Sequence, residues 1–148
     1  VTATIDVQFA TECRDIPDRK TIRKWAKSCL KGLNTDVEFT VRIVDEPEML
    51  ALNSTWRGQN KTTNVLSFPA GDNAVMPELL GDIVICAPVI YREAVEQDKQ
   101  PEAHWAHMLI HGILHLLGYD HENEVDAQVM EILETEKLEL LNYPDPYN

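Results

Sequence analysis

The stretch HGILHLLGYDH, from His111 to His121, constrains the fold more than any other part of the chain. His111 and His115 stand four residues apart in an apolar run, so on a helix they lie about 40° apart on one face and can chelate one ion together. Gly118 ends that helix, because glycine enters the left-handed conformation at little cost, and the returning chain can carry His121 toward the other two rings. Three neutral nitrogen ligands with no fourth protein ligand leave a coordination position open, the arrangement of a catalytic rather than a structural zinc. The chain must therefore bring a helix, a sharp turn and a third imidazole to one point.

The spacing H-x-x-x-H-x-x-G-x-x-H is the zinc frame of the metzincin peptidases. In those enzymes a glutamate follows the first histidine and takes the proton from metal-bound water; this chain has Gly112 there. Metal-assisted hydrolysis survives as a reaction class, while peptide hydrolysis loses its base. Met130 falls in a predicted helix rather than in a turn beneath a metal, and does not restore the peptidase pattern. His104 and His107 share the helix face of His111 to within about 60°. They read as core or interface histidines with local hydrogen bonds, or as outer partners of the ligands.

Upstream, residues 2–9 alternate with Ile5, Val7 and Phe9 on one side, the period of a half-buried strand. Pro17 and Asp18 open a helix whose Ile22, Trp25, Ala26, Cys29, Leu30 and Leu33 recur at helical spacing, and Gly32 and Asn34 end it. Val37, Phe39, Val41 and Ile43 form a second alternating segment, so residues 2–44 read as a strand, a crossover helix and a parallel strand. Residues 45–56 suit a short helix with Asp45 as N-cap, Pro47 in the first turn and Met49, Leu50 and Leu52 inward. A polar loop, RGQNKTTN, leads to the strand Val65 to Phe68, closed by Pro69. Residues 70–81 read as a mobile loop before the strand Ile83 to Cys86, and a connection of that kind without a helix permits an antiparallel return.

Helices are then expected from Pro88 to about Gln97, from Glu102 to Leu117 and from Glu124 to Leu141. The last would turn Val125, Val129, Ile132, Leu133, Leu140 and Leu141 inward, and Tyr143 to Asn148 would fray. The sum is one α/β domain over residues 1–148: a mixed, mostly parallel four-stranded sheet with one antiparallel strand, packed by helices, with the metal site on a helix of the C-terminal half and the turn after it.

With 148 residues, 44% of them hydrophobic, the chain can bury a core without disulfide staples. Cys13, Cys29 and Cys86 are odd in number and widely spaced, so a reducing cytoplasm is the expected location, with Cys29 and Cys86 as small core residues. No apolar run is long enough to cross a membrane, and the N-terminus lacks the pattern of a secretion signal. The net charge of −12 is unevenly spread: residues 1–68 carry +1 and residues 69–148 carry −13. Arg14, Arg19, Lys20, Arg23, Lys24, Lys27 and Lys31 gather around the first helix, as a solvated face or as a face for phosphates. Arg57, after the short helix, carries a planar fork of donors suited to phosphate, the alternative being a surface ion pair.

Four motifs together, HGxLHLxGYDH, NxxWR at Asn53 to Arg57, T-x-VLSFP at Thr63 to Pro69 and GDIxI at Gly81 to Ile85, resemble the YbeY family of bacterial endoribonucleases over essentially the whole chain. The resemblance implies that His111, His115 and His121 bind zinc and that Arg57 is important for function. It also implies a cytoplasmic, single-strand-specific RNase acting in ribosomal RNA maturation, particularly at the 3′ end of the small-subunit RNA, and in ribosome quality control, with ribosomal particles as partners. Family members usually carry an aspartate before VLSFP, where this chain has Asn64.

On this reading a zinc held by three imidazoles, one ion per chain, activates water and stabilises charge on a phosphoryl oxygen, and Arg57 holds the phosphate. Nickel or copper could replace zinc at nitrogen ligands. The proton acceptor stays open between the metal-bound hydroxide, Asp120 and Glu122. The competing functions are a metallopeptidase and a ribosome-assembly factor that does not catalyse.

Overall fold

The computed structural model describes residues 2–71 and 76–148. Its elements in chain order are β1 (Ala3–Ala10), α1 (Arg19–Cys29), β2 (Val37–Val44), α2 (Glu46–Arg57), β3 (Val65–Pro69), β4 (Leu79–Cys86), α3 (Ala87–Glu96), α4 (Pro101–Leu116) and α5 (Glu124–Leu140). The sheet order is β1-β2-β4-β3. β1, β2 and β4 run parallel, and β3 returns antiparallel along the outer side of β4, so the expected mixed sheet is the one observed.

Alternation sorts the strand residues onto two faces. Ile5, Val7, Phe39, Val41, Ile43, Ile83 and Ile85 point into the main core with Trp25 and Ala26 of α1 and Leu109, Ile110 and Ile113 of α4. Val44, Val84 and Cys86 face the other way, onto Met49 of α2 and Val89 of α3. α4 is apolar on nearly every side and is buried along most of its length. Sheet, α1, α3 and α5 enclose it, which makes it a rigid mount for side chains at its C-terminal end.

Several local expectations are corrected. Asp45 does precede α2, but its side chain does not cap that helix; it accepts hydrogen bonds from the Thr11 hydroxyl and the Glu12 N–H and ties the end of β1 to the start of α2. Leu50 is exposed, because the buried positions of α2 are Met49 and Asn53. β4 begins at Leu79, earlier than Ile83, since Gly81 and Asp82 already pair with Pro69 and Phe68 of β3. The mobility expected for residues 70–81 falls partly on 72–75, which lie outside the described residues.

The largest correction concerns α5. Val125, Val129, Ile132 and Leu140 face solvent, and the buried positions are Met130, Glu134 and Leu138. Leu133 and Leu141 do pack against the core. The helix has rotated to put a carboxylate inside, and the reason lies on α4. Nor does the segment after α5 fray: Tyr143 sets its ring against Trp25 at 6.2 Å, and Lys99 Nζ donates to the Pro146 carbonyl at 2.9 Å.

Candidate metal centre

His111 and His115 leave adjacent turns of α4, and their Nε2 atoms come within 3.1 Å of each other. The helix ends at Leu116 with Leu117 as its C-cap, and Gly118 then takes a φ of 102°, a conformation that strains any residue with a Cβ. The turn it makes brings the His121 ring to 5.0 Å from that of His115 and 5.6 Å from that of His111. One nitrogen from each ring lies within 4.8 Å of the others, so the three histidines could hold a metal ion. Two nitrogens bound to one tetrahedral ion at about 2.1 Å each would stand roughly 3.4 Å apart, close to the separation of the helical pair. The donor set therefore fits an ion that takes imidazole. Burial, with His111 and His121 alongside, holds the His115 imidazole below its ordinary value, and the neutral ring is the form that ligates.

Behind the ligands stands Glu134 of α5, buried against α4. Its Oε1 is 2.9 Å from His111 Nδ1, its Oε2 is 2.7 Å from His107 Nε2, and the Tyr147 hydroxyl donates to Oε2 as well. Burial pushes this carboxyl up, but the hydrogen bonds from His107, His111 and Tyr147 outweigh it and hold the group at about 2. An ionised carboxylate only accepts, so His111 must carry its proton on Nδ1, which leaves Nε2 as the lone pair turned toward His115 and His121. Desolvation and the neighbouring carboxylate push the Tyr147 phenol well above its ordinary range, so it stays a donor.

Glu134 and Tyr147 are the residues behind the three rings that sequence reasoning missed. In the sequence Glu134 stands one turn from Met130 and one turn from Leu138, but only the docking of α5 shows that this stripe, and not the one through Val125, Val129 and Ile132, is the buried one. Of the two outer histidines, His107 shares Glu134 with a candidate ligand, while His104 bonds to Glu93 at 2.9 Å, away from the three rings.

Gly112 does not face the site. A Cβ at this position would stand 2.9 Å from Ile83 Cγ2 and 3.3 Å from Ser67 Oγ, and the Ser67 hydroxyl donates to the Gly112 carbonyl at 3.0 Å. The position occupied by the peptidase glutamate is here the point where α4 touches β3 and β4, and no side chain fits.

An open cleft of about 660 Å³ runs in front of the rings, lined by Arg57, Asn64, Ser67, Tyr119, Asp120 and the three histidines, among others. Arg57 reaches it from the end of α2: its Nη2 donates to the Ser67 carbonyl at 2.6 Å and its guanidinium lies 5.0 Å from the Phe68 ring centre. Arg57 is thus held by β3, and among the described residues it makes no ion pair. Asn53, buried four residues earlier, donates to the Lys61 carbonyl at 2.8 Å and closes the loop that follows Arg57. Asp120 sits in the cleft with Oδ1 4.0 Å from His115 Nδ1 and 3.9 Å from His121 Nδ1, whereas Glu122 is not among the lining residues. Asn64 on the same wall donates to Glu93 at 3.1 and 3.3 Å, and Glu93 in turn receives His104.

A family model described as Endoribonuclease YbeY matches residues 6–142. The protein named Endoribonuclease YbeY in Pseudomonas syringae pv. syringae (strain B728a) is 54% identical over 145 residues, covering 97% of this chain and 87% of that protein. Its namesake in Pseudomonas savastanoi pv. phaseolicola (strain 1448A / Race 6) is 53% identical with the same coverage. Among solved structures, the solution structure of TM1509 from Thermotoga maritima superposes with a TM-score of 0.63 at 29% identity, covering 90% of this chain and 87% of that one.

Proposed function

Because the chain belongs to the YbeY endoribonuclease family, we propose that it cleaves RNA phosphodiester bonds at the cleft in front of His111, His115 and His121, as a single zinc-dependent endoribonuclease domain over residues 1–148. The substrate we assign is single-stranded ribosomal RNA, in maturation of the small-subunit 3′ end and in ribosome quality control, in the cytoplasm and on ribosomal particles. The observation that carries this reading is the convergence of three imidazoles and one arginine on one cleft.

His111, His115 and His121 would hold a zinc ion, or nickel or copper in its place, and the bound metal would supply Lewis acidity to water and to a phosphoryl oxygen. Arg57 Nη2 is committed to the Ser67 carbonyl, and its other N–H groups are left for the phosphate oxygens, where charge grows in the transition state. Glu134 holds the proton on His111 Nδ1. Among the described residues Asp120 is the carboxylate that lines the cleft, and we assign it as the proton acceptor there. Tyr119, 41% exposed at the cleft, offers a ring face on which an unpaired base can stack, which fits a single strand better than a duplex. Gly112, packed against Ile83, supplies no peptidase base.

The test is cleavage of a short single-stranded ribosomal RNA fragment by wild type, Arg57→Ala and His115→Ala, with metal analysis of each protein. Arg57→Ala should keep its metal and lose about a hundredfold to a thousandfold in rate, and His115→Ala should lose both. Equal cleavage by all three would trace the activity to a contaminant and leave the assembly-factor reading. An Arg57→Ala protein that still binds ribosomal particles but does not cleave would separate catalysis from binding.

A further inference from the structure

α1 breaks the usual rules for a surface helix. Its first turn, where the helix dipole favours acids, contains none and begins with Arg19 and Lys20. Lys20, Lys24 and Lys27, with Lys31 just past the helix end, fall within about 60° of one another at 100° per residue, directly opposite the buried Ile22, Trp25, Ala26 and Cys29. Lysines three and four residues apart repel. A chain with 25 acidic residues could have interleaved them, yet among the described residues none of the four lysines lies within ion-pair distance of a carboxylate. Of the acids that flank the helix in sequence, Asp18 caps it by accepting from the Thr21 N–H, and Asp36 accepts from the Thr2 N–H and hydroxyl.

Beside the lysines, Arg19 and Arg23 lean over the open edge of the sheet. Their Nε atoms donate to the Val7 and Ile5 carbonyls of β1 at 3.1 and 3.0 Å, which covers the edge and fixes both guanidinium groups, one turn of helix apart. The row ends in a cleft of about 470 Å³ lined by Lys27, Lys31, Thr2 and Thr35.

We propose that the outward face of α1, from Arg19 to Lys31, is a second RNA-binding surface, a track for the phosphodiester backbone separate from the metal cleft. The proposal rests on the endoribonuclease reading above for the identity of its polyanion. The protein is acidic overall, and a row of lysines with no carboxylate at ion-pair distance among the described residues is suited to phosphates brought by the substrate, which bind with release of the counterions they hold. The arginines also serve the fold, so the lysines are the residues to vary.

The test compares wild type, Lys20→Gln/Lys24→Gln/Lys27→Gln and Lys20→Arg/Lys24→Arg/Lys27→Arg in three assays. They are binding of a long single-stranded RNA across a salt series, cleavage of a fragment short enough to reach only the metal cleft, and binding to phosphatidylserine vesicles. The glutamine variant should bind long RNA about tenfold more weakly at low salt, with a salt slope lower by about 2, at roughly 0.7 for each lost phosphate contact. It should cleave the short fragment at the wild-type rate, and the arginine variant should bind like wild type. An unchanged slope and affinity would overturn the track, as would loss of short-fragment cleavage, which would place the lysines' effect at the cleft itself. Lysine-dependent binding to vesicles with RNA binding unmoved would make a membrane surface the partner and also overturn it. If the wild type cleaves no RNA the catalytic reading fails, while the salt series still decides the track.

Discussion

Glu134 of α5 and His111 of α4 meet with Oε1 2.9 Å from Nδ1, inside the protein, with the carboxylate side chain 1% exposed. The pair fixes which nitrogen of His111 faces the cleft. Glu134→Gln keeps the shape but removes the charge and turns one acceptor into a donor, so it cannot serve both His111 and His107. Zinc affinity should fall about tenfold to a hundredfold, by titration against a competing chelator, with the circular dichroism of the fold retained. An affinity equal to wild type would mean that packing on α4 alone orients the ring.

Stability should fall as the medium is acidified below the ordinary histidine range. Burial lowers the His104 imidazole from 6.5, with Glu93 opposing, so the unfolded chain takes up a proton that the folded one resists. Below 6.5 the unfolded state then binds more protons, and stability rises with pH. This contribution is full above 6.5 and is lost as pH falls. The Glu134 contribution has the same sign in a lower window, between the ordinary 4.5 and about 2. Denaturant midpoints across pH should show both steps, and His104→Gln should flatten the upper one.

Gly112→Ala measures how tightly α4 sits on the sheet. Alanine gains about 1 kcal/mol of helix propensity, but its Cβ would stand 2.9 Å from Cγ2 of Ile83, a branched side chain at 0% exposure that cannot swing away. Overpacking of this kind costs about 1–3 kcal/mol. A net loss near 1 kcal/mol lowers the melting temperature by about 2–4 °C. Combining the change with Ile83→Ala should recover part of the loss; strict additivity would show that the contact is not the cause.

The order and kind of the elements were legible because strand alternation and helical periodicity are strong over residues 2–44 and in α4, where apolar side chains meet only one demand. α5 was misread because its apolar residues outnumber what one face can bury. Val125, Val129, Ile132 and Leu140 lie outside while Glu134 lies inside, since two histidines of α4 repay the burial of its charge. The three imidazoles could be read from spacing, which is local. Glu134 and Tyr147 could not be ranked above the many other acids and tyrosines, because their roles depend on how α5 and the following segment dock, which is tertiary. Asn64, just before β3, stood out in the sequence, but its partner Glu93, on α3, did not.

That partner gives Asn64 a physical account. Asn64 Nδ2 donates to both oxygens of Glu93 while its Oδ1 accepts from the Val65 N–H at 2.7 Å, so the amide is satisfied on both sides. Replacing the amide by Asn64→Asp would set carboxylate against carboxylate and leave Glu93 with His104 alone. The change should cost about 1–3 kcal/mol near neutral pH and less as the medium is acidified, because one of two facing carboxylates takes up a proton. Asn64→Asp/Glu93→Gln should regain most of the loss, since the new amide donates where the old one did. Should Asn64→Asp prove as stable as wild type at neutral pH, the contact with Glu93 would not be what sets the residue at this position.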